Sequence, residues 1–331
     1  MIFVDNENVT NPALNLALEE YLLRNLLTDE DIFLFYINEP SIIIGRHQNT
    51  LEEINLEYVK EHGIHVVRRL SGGGAVYHDL GNLNFSFITQ NRPENVNNFR
   101  KFTEPVIQVL QEMGVPAGHG GRNDILAGGR KISGNAQYIA RDRMVSHGTL
   151  LFNTDLSVLS KALNVKPGKI ESKGIKSVQS RVANISEFIS SPGDTLAFRA
   201  ELQRGLFAGA ENIPQYHLTD ADRAGARALA AERYERWEWN FGRSPDFNVQ
   251  RVRRFDSGEV DARIEVENGL IRCIRFYGDF FAQKDTAELE ALLTGGRYTL
   301  EDVTAAVGSV QVGEYIFGVT NEEFIHFLFY A

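Results

Sequence analysis

The chain has 331 residues, enough for about two domains at roughly 150 residues each, and its 43% hydrophobic and 24% charged content excludes a disordered or fibrous chain. Thirty-four Lys+Arg against 44 Asp+Glu leave a net charge of −10, which excludes a general nucleic-acid binder, because such proteins need a broad basic surface. The single Cys273 excludes an intrachain disulfide and a cysteine zinc site and suits a reducing compartment. The opening residues carry Asp5 and Glu7 where a secretory leader would carry Lys or Arg, and no apolar run approaches membrane-spanning length, so a cytoplasmic protein is expected.

In chain order, Asn11 and Pro12 precede Leu14, Leu18, Tyr21 and Leu22, the spacing of a capped amphipathic helix. Residues 31–38 and 41–45 read as strands separated by Glu39-Pro40, and 65–70 as a further strand. In 82–88, Leu83, Phe85 and Phe87 alternate with Asn84 and Ser86, predicting a half-buried strand with a core face and a polar face. Val106, Val109, Leu110 and Met113 mark a helix stopped at Gly114. Residues 125–152 read as strands joined at Gly128-Gly129 and Arg141-Asp142. Helices are expected at 155–164, 194–208 and 220–237. After 237–247 the sequence changes character, which sets a large domain at 1–245 and a small one at 246–331. The small domain opens with two strands around an Asn268-Gly269 turn, followed by helices at 285–293 and 299–307. The order is mixed helix and strand without regular βαβ alternation, so the fold class is α/β (α+β) with a mixed sheet.

Charge separates the two parts. Residues 246–331 carry −7, whereas residues 65–150 carry a local excess of +4, which places the chemistry of an anionic ligand in the large domain. There the stretch 68–79, RRLSGGGAVYHD, puts three consecutive glycines after two arginines and Ser71. Such a loop can bring bare backbone N–H groups to an anion, although glycines alone also make a plain turn. No Walker A loop or dinucleotide fingerprint is present. In 121–137, Lys131 and Ser133 are placed on one strand face with Ile132 on the other, an ammonium beside a hydroxyl; the plain alternative is a solvated lysine. His147 opens the strand SHGTLLF, where a structural hydrogen-bonding role competes with a ligand contact. There is no HExxH motif, and no GxSxG elbow accompanies Ser71 or Ser133. The segment 166–181 holds Lys166, Lys169, Lys173, Lys176 and Arg181 against Glu171 and reads as a mobile basic loop.

Taken together, RRLSGGGAVYHDLGNLNFSF, GRNDILAGGRKISGNA, SHGTLLFN, KGIKSVQSRVAN and WEWNFGRSP resemble the lipoate-protein ligases, in order and over nearly the whole chain. The resemblance implies a fold similar to biotin ligases and to class II aminoacyl-tRNA synthetase catalytic domains, with a small accessory domain. It implies ATP with Mg²⁺ as co-substrate, no permanently bound cofactor, and a lipoyl-adenylate intermediate. The acyl group would pass to a lysine of lipoyl carrier domains, those of 2-oxoacid dehydrogenase E2 subunits and the glycine cleavage H protein. By position, Arg69, Gly74, Ala75, Val76, Tyr77 and Lys131 would bind ATP and the adenylate. Gly72, Gly73, Gly74, Lys131 and His147 would bind lipoate, with Lys131 catalytic and Ser71, Asn123, Asp124, Ser133 and Lys173 as further candidates. The segment 166–181 matches the family's adenylate-binding loop. An acyl slot is expected along the apolar faces of 32–37 and 83–87, where burying four methylenes contributes about 3 kcal/mol. Two rivals are an octanoyl- or lipoyltransferase of the same fold, working through a cysteine thioester, and a non-catalytic lipoate-binding protein. The absence of cysteine from 1–245 weighs against the first. The presence of both Lys131 and Arg69 weighs against the second.

Overall fold

The computed structural model describes residues 1–26, 28–163, 181–210, 212–241 and 247–330. They form two compact units: Met1–Ile43, Leu51–Val67 and Val76–Asn240 in the first, and Ile44–Thr50, Arg68–Ala75 and Phe241–Ala331 in the second. The glycine-rich loop therefore groups with the C-terminal residues, which sequence order alone does not show.

The strands, in chain order, are β1 (Ile2–Asp5), β2 (Ile32–Ile37), β3 (Ser41–Ile44), β4 (His65–Arg68), β5 (Val76–His78), β6 (Asn82–Gln90), β7 (Ala117–Gly120), β8 (Asp124–Ala127), β9 (Arg130–Ala140), β10 (Arg143–Leu151), β11 (Gln215–Tyr216), β12 (Val249–Phe255), β13 (Gly258–Glu267) and β14 (Leu270–Gly278). The first unit is built on an eight-stranded sheet ordered β11-β1-β2-β6-β10-β9-β8-β7. It is mixed: β1 runs parallel to β2 and β11, whereas β2/β6, β6/β10, β10/β9, β9/β8 and β8/β7 are antiparallel.

One face of this sheet is aromatic. Phe33, Phe35, Phe85 and Phe87 pack with Phe102, Val106 and Leu110 from the helix Phe99–Glu112 and with Phe198 and Leu202 from the helix Thr195–Leu206. The opposite face is covered by the helix Pro12–Asn25, whose Leu18 and Leu22 cluster with Leu34, Tyr36 and Ile88. Asn11 caps that helix by accepting the Leu14 N–H at 3.0 Å, and Pro12 occupies its first turn, as the sequence predicts.

Two expectations are corrected here. β6 is not half-buried, because the polar side chains Asn82, Asn84 and Ser86 are each at most 1% exposed. Alternation marks two faces, but a helix bearing its own polar groups covers the second one. The aromatic face is also no acyl slot, since Leu83, Phe85 and Phe87 are packed inside the hydrophobic core. A second small sheet, β4-β3-β5, pairs Ile42 with Tyr77 and Ile43 with Val76.

The second unit contains the antiparallel sheet β12-β13-β14, with a core of Ile264, Ile274, Phe276, Phe280, Phe324 and Phe327. Asn268 and Gly269 have φ of 53° and 78°, the left-handed pair that a tight β13–β14 hairpin requires. The helices Thr286–Leu293 and Leu300–Val307 begin after the caps Asp285 and Thr299.

Candidate active site

Lys131 stands near the start of β9, whose register with β8 slips by one residue between Ile125 and Leu126. Ser133 pairs with Ile125, and Lys131 pairs with Leu126. The bulge makes Ile132 the extra residue and breaks strict alternation, so Lys131 and Ser133 do not share a face. Ser133 is fully buried and its hydroxyl accepts from Asn135 Nδ2 at 3.2 Å on the side of Phe85. The expected ammonium beside a hydroxyl is therefore not formed.

Instead Lys131 Nζ lies 2.8 Å from Asp124 Oδ1, with both side chains about a third exposed. It runs over Gly134, where an added β-carbon would meet Nζ at 3.0 Å and Cε at 3.2 Å. The backbone of Lys131 is held from the other side as well: its N–H donates to Arg181 O at 2.7 Å and its carbonyl accepts from Ala183 N–H at 2.9 Å. Asn123 has a structural task here. It exchanges backbone and side-chain hydrogen bonds with Asn135, closing the entry to the β8–β9 hairpin.

Further along this face, Gly134 N–H donates to Thr149 Oγ1 at 3.3 Å, and His147 of β10 pairs with Ser86 and Ala136. His147 Nδ1 lies 2.8 Å from both oxygens of Glu19, a 4% exposed carboxylate of the covering helix. That bond assigns the Nδ1 proton and fixes the orientation of the ring. Glu19 is a partner that sequence reading missed. The signal was present in LALEEYLL, two acids inside an apolar helix, but a search for apolar periodicity passes over it.

Tyr77 is buried on β5, and burial, followed by the charges of Asp79 and Asp155, pushes its phenol up to about 12. The neutral phenol is thus favoured in the folded chain. Its contribution to stability is complete below the ordinary tyrosine value near 10 and is lost as pH rises through about 12. Thermal unfolding followed from pH 9 to 11.5 is expected to show a stability decline that is shallower in Tyr77→Phe. Identical slopes would contradict this assignment.

Within the second unit, Arg69 is 6% exposed and turns its guanidinium onto its own loop. Nε donates to Ser71 Oγ at 3.0 Å, and Nη2 donates to Gly72 O at 2.7 Å and Gly74 O at 2.9 Å. Arg68, fully buried, donates to the carbonyls of Gly45, Arg46 and Gln48 and to Thr50 Oγ1. Arg69 thus braces the glycine-rich loop from within, and Arg68 braces the segment 45–50. Gly72 is required because a β-carbon there would collide with Phe280 O, and Gly73 because its φ is +92°. Gly74 has open space around its α-carbon, and with Ala75 and Val76 it leads into β5 half-exposed. Lys173 and most of the basic stretch 166–181 lie outside the described residues.

Apart from these groups, the first unit holds a mostly apolar pocket of 290 Å³ lined by residues that include Val9, Ile37, Leu80, Leu196 and Arg199. The Arg199 guanidinium is engaged by Asp5 and Asn8. Ile37 belongs to the strand 32–37 expected from sequence to line an acyl slot, and the other lining residues are not candidates named from sequence.

The arrangement offers a cation on a carboxylate seat and a part-buried His–Glu pair on one sheet face, and separately an arginine-braced loop half-exposed at Gly74–Val76. The lipoyl protein ligase A/B catalytic-domain family model matches residues 11–207, and the bacterial lipoate protein ligase C-terminus model matches 244–328. The chain belongs to the lipoate-protein ligases. It is 49% identical over 331 residues to the lipoate-protein ligase LplJ of Bacillus subtilis, covering 99% of this chain and 100% of that one. Among solved structures, Plasmodium falciparum LipL1 in complex with lipoate matches with TM-score 0.76 and 26% identity over 94% of both chains. A lipoate-protein ligase A bound with ATP gives TM-score 0.62 and 32% identity, covering 73% of this chain and 97% of that one. A bipartite ligase from Thermoplasma acidophilum, described with its E2 lipoyl domain, gives TM-score 0.65 and 32% identity over 75% and 98%.

Proposed function

We propose that this ligase activates free lipoate with ATP and Mg²⁺ to lipoyl-adenylate and passes the acyl group to a lysine of lipoyl domains. Attack of a carboxylate on an α-phosphate brings two anions together, so a fixed cation stabilises the transition state more than the separated reactants. Lys131 is assigned that role. The observation that carries the reading is the Lys131 ammonium held over Gly134 on the sheet face that also presents His147. On this assignment the acyl tail follows the His147 side of the sheet, and the backbone around Gly74, Ala75, Val76 and Tyr77 meets the nucleotide. Gly72 and Gly73 shape the loop toward lipoate, while Arg69 and Ser71 keep it in form. Magnesium enters with ATP as part of the co-substrate. Support for these roles comes from the family membership and from relatives described with lipoate, with ATP and with an E2 lipoyl domain.

Acceptors of the E2 and glycine cleavage H-protein kind, and a cytoplasmic setting, belong to the same proposal. Among the described residues no helix is long and apolar enough to cross a membrane. We assign catalysis to residues 1–245 and an accessory role to 246–331.

The test is direct. ATP plus lipoate is expected to release pyrophosphate, and adding an apo-lipoyl domain is expected to give the mass increment of one lipoyl group. Acyl transfer from an acylated donor without ATP would favour a transferase, and lipoate binding with neither reaction would favour a non-catalytic protein.

A further inference from the structure

Lys131 occupies a seat built by two other residues. Asp124 and Gly134 are cross-strand neighbours in the β8–β9 register, and the bulge one step along β9 returns Lys131 to their face. Asp124 Oδ1 fixes Nζ at 2.8 Å from one side. Gly134 admits the chain from below, since a methyl group there would stand 3.0 Å from Nζ and 3.2 Å from Cε. The lysine backbone is clamped by Arg181 and Ala183, so the remaining freedom lies in the four-carbon stem, and these two residues restrict it.

We propose that Asp124 and Gly134 are positioning residues that hold the Lys131 ammonium in place before the anionic substrates arrive. This rests on the assignment of Lys131 to the adenylation step. The gain is preorganisation: a lysine fixed in advance need not be ordered at the moment charge develops. Asp124 also has a cost in the ground state, because incoming phosphates must compete with its carboxylate for the same ammonium. Removing it is therefore expected to slow the chemistry without weakening the binding of ATP. That pattern separates positioning from two other roles. A residue needed only for folding would lower stability without splitting kcat from KM, and a magnesium ligand would raise the metal requirement.

The experiment is steady-state pyrophosphate release by the full-length chain with ATP and lipoate at varied Mg²⁺. Wild type is run first, and its failure to release pyrophosphate would defeat the ligase reading itself. Given an active wild type, Asp124→Asn is expected to lower kcat by about 10- to 50-fold, part of the loss seen on removing a whole electrostatic group. Its KM for ATP is expected to stay equal or fall, with an unchanged half-saturating Mg²⁺ concentration. Asp124→Glu keeps a carboxylate within reach of Nζ and is expected to recover most of the lost rate. Gly134→Ala approaches the seat from the other side and is expected to lower kcat in the same sense, with wild-type circular dichroism. Near wild-type kcat in Asp124→Asn overturns the proposal, as does a lowered kcat accompanied by a raised Mg²⁺ requirement, or no recovery in Asp124→Glu.

Discussion

Lys131→Ala is expected to lower the rate of lipoyl-adenylate formation by about a hundred- to a thousandfold while leaving the fold intact. Loss of one preorganised electrostatic group in a shielded site costs about 3–4 kcal/mol of transition-state stabilisation, and each 1.36 kcal/mol is a factor of about ten. On the stability side the loss is small. The Lys131–Asp124 pair is about a third exposed, and such pairs contribute about 0–1 kcal/mol. The main-chain bonds to Arg181 and Ala183 survive the substitution, so β9 keeps its register. Single-turnover adenylation measured beside thermal unfolding checks both halves. A folded Lys131→Ala chain that formed adenylate at the wild-type rate would remove this lysine from the mechanism. Supplying preformed lipoyl-adenylate then isolates the second step, in which no attack on phosphate occurs.

The contrast between Lys131 and Ser133 explains how far the sequence could be read. Period-two alternation is a property of regular strands: it located β6 and separated Leu83, Phe85 and Phe87 from Asn84 and Ser86, while turn residues at Gly128-Gly129 and Arg141-Asp142 located β9 and β10. A single bulge residue shifts every later position to the opposite face, and nothing in GGRKISGNAQ announces it. Burial of Asn84 and Ser86 was equally hidden, because it depends on what the helix Pro12–Asn25 brings against them. The helix Phe99–Glu112 was marked by Val106, Val109, Leu110 and Met113, its C-terminal apolar residues; in the structure Asn98 caps a helix that begins before them, at Phe99, and carries Pro105 inside. The long-range partnership of Glu19 with His147 joins residues 128 apart in sequence, which no local pattern encodes. By contrast, motifs whose chemistry is local were legible: the capped first helix, the Asn268-Gly269 hairpin and the glycine-rich loop after Arg68-Arg69.

That loop gives the second large effect, because its three glycines answer to three different constraints. Gly72→Ala is expected to destabilise the second unit by about 1–3 kcal/mol, since the new methyl must displace the Phe280 carbonyl, which is backbone and cannot swing aside. Gly73→Ala is expected to cost about 1–2 kcal/mol for holding an L-residue at φ +92°, and its methyl would press on Arg69 Nη2 at 3.0 Å. Gly74→Ala meets no atom within 4 Å and carries no positive φ, so thermal unfolding should match wild type. If the backbone at Gly74 meets the nucleotide, however, the added methyl intrudes on ATP, and KM for ATP should rise about tenfold or more, the cost of a clash worth about 1.4 kcal/mol. Urea unfolding separates the first two variants from the third, and pyrophosphate-release kinetics then read the third alone. A Gly74→Ala chain with wild-type stability and wild-type KM would move the nucleotide away from this part of the loop. It would leave the glycine run explained by the packing of Gly72 against Phe280 and the turn at Gly73.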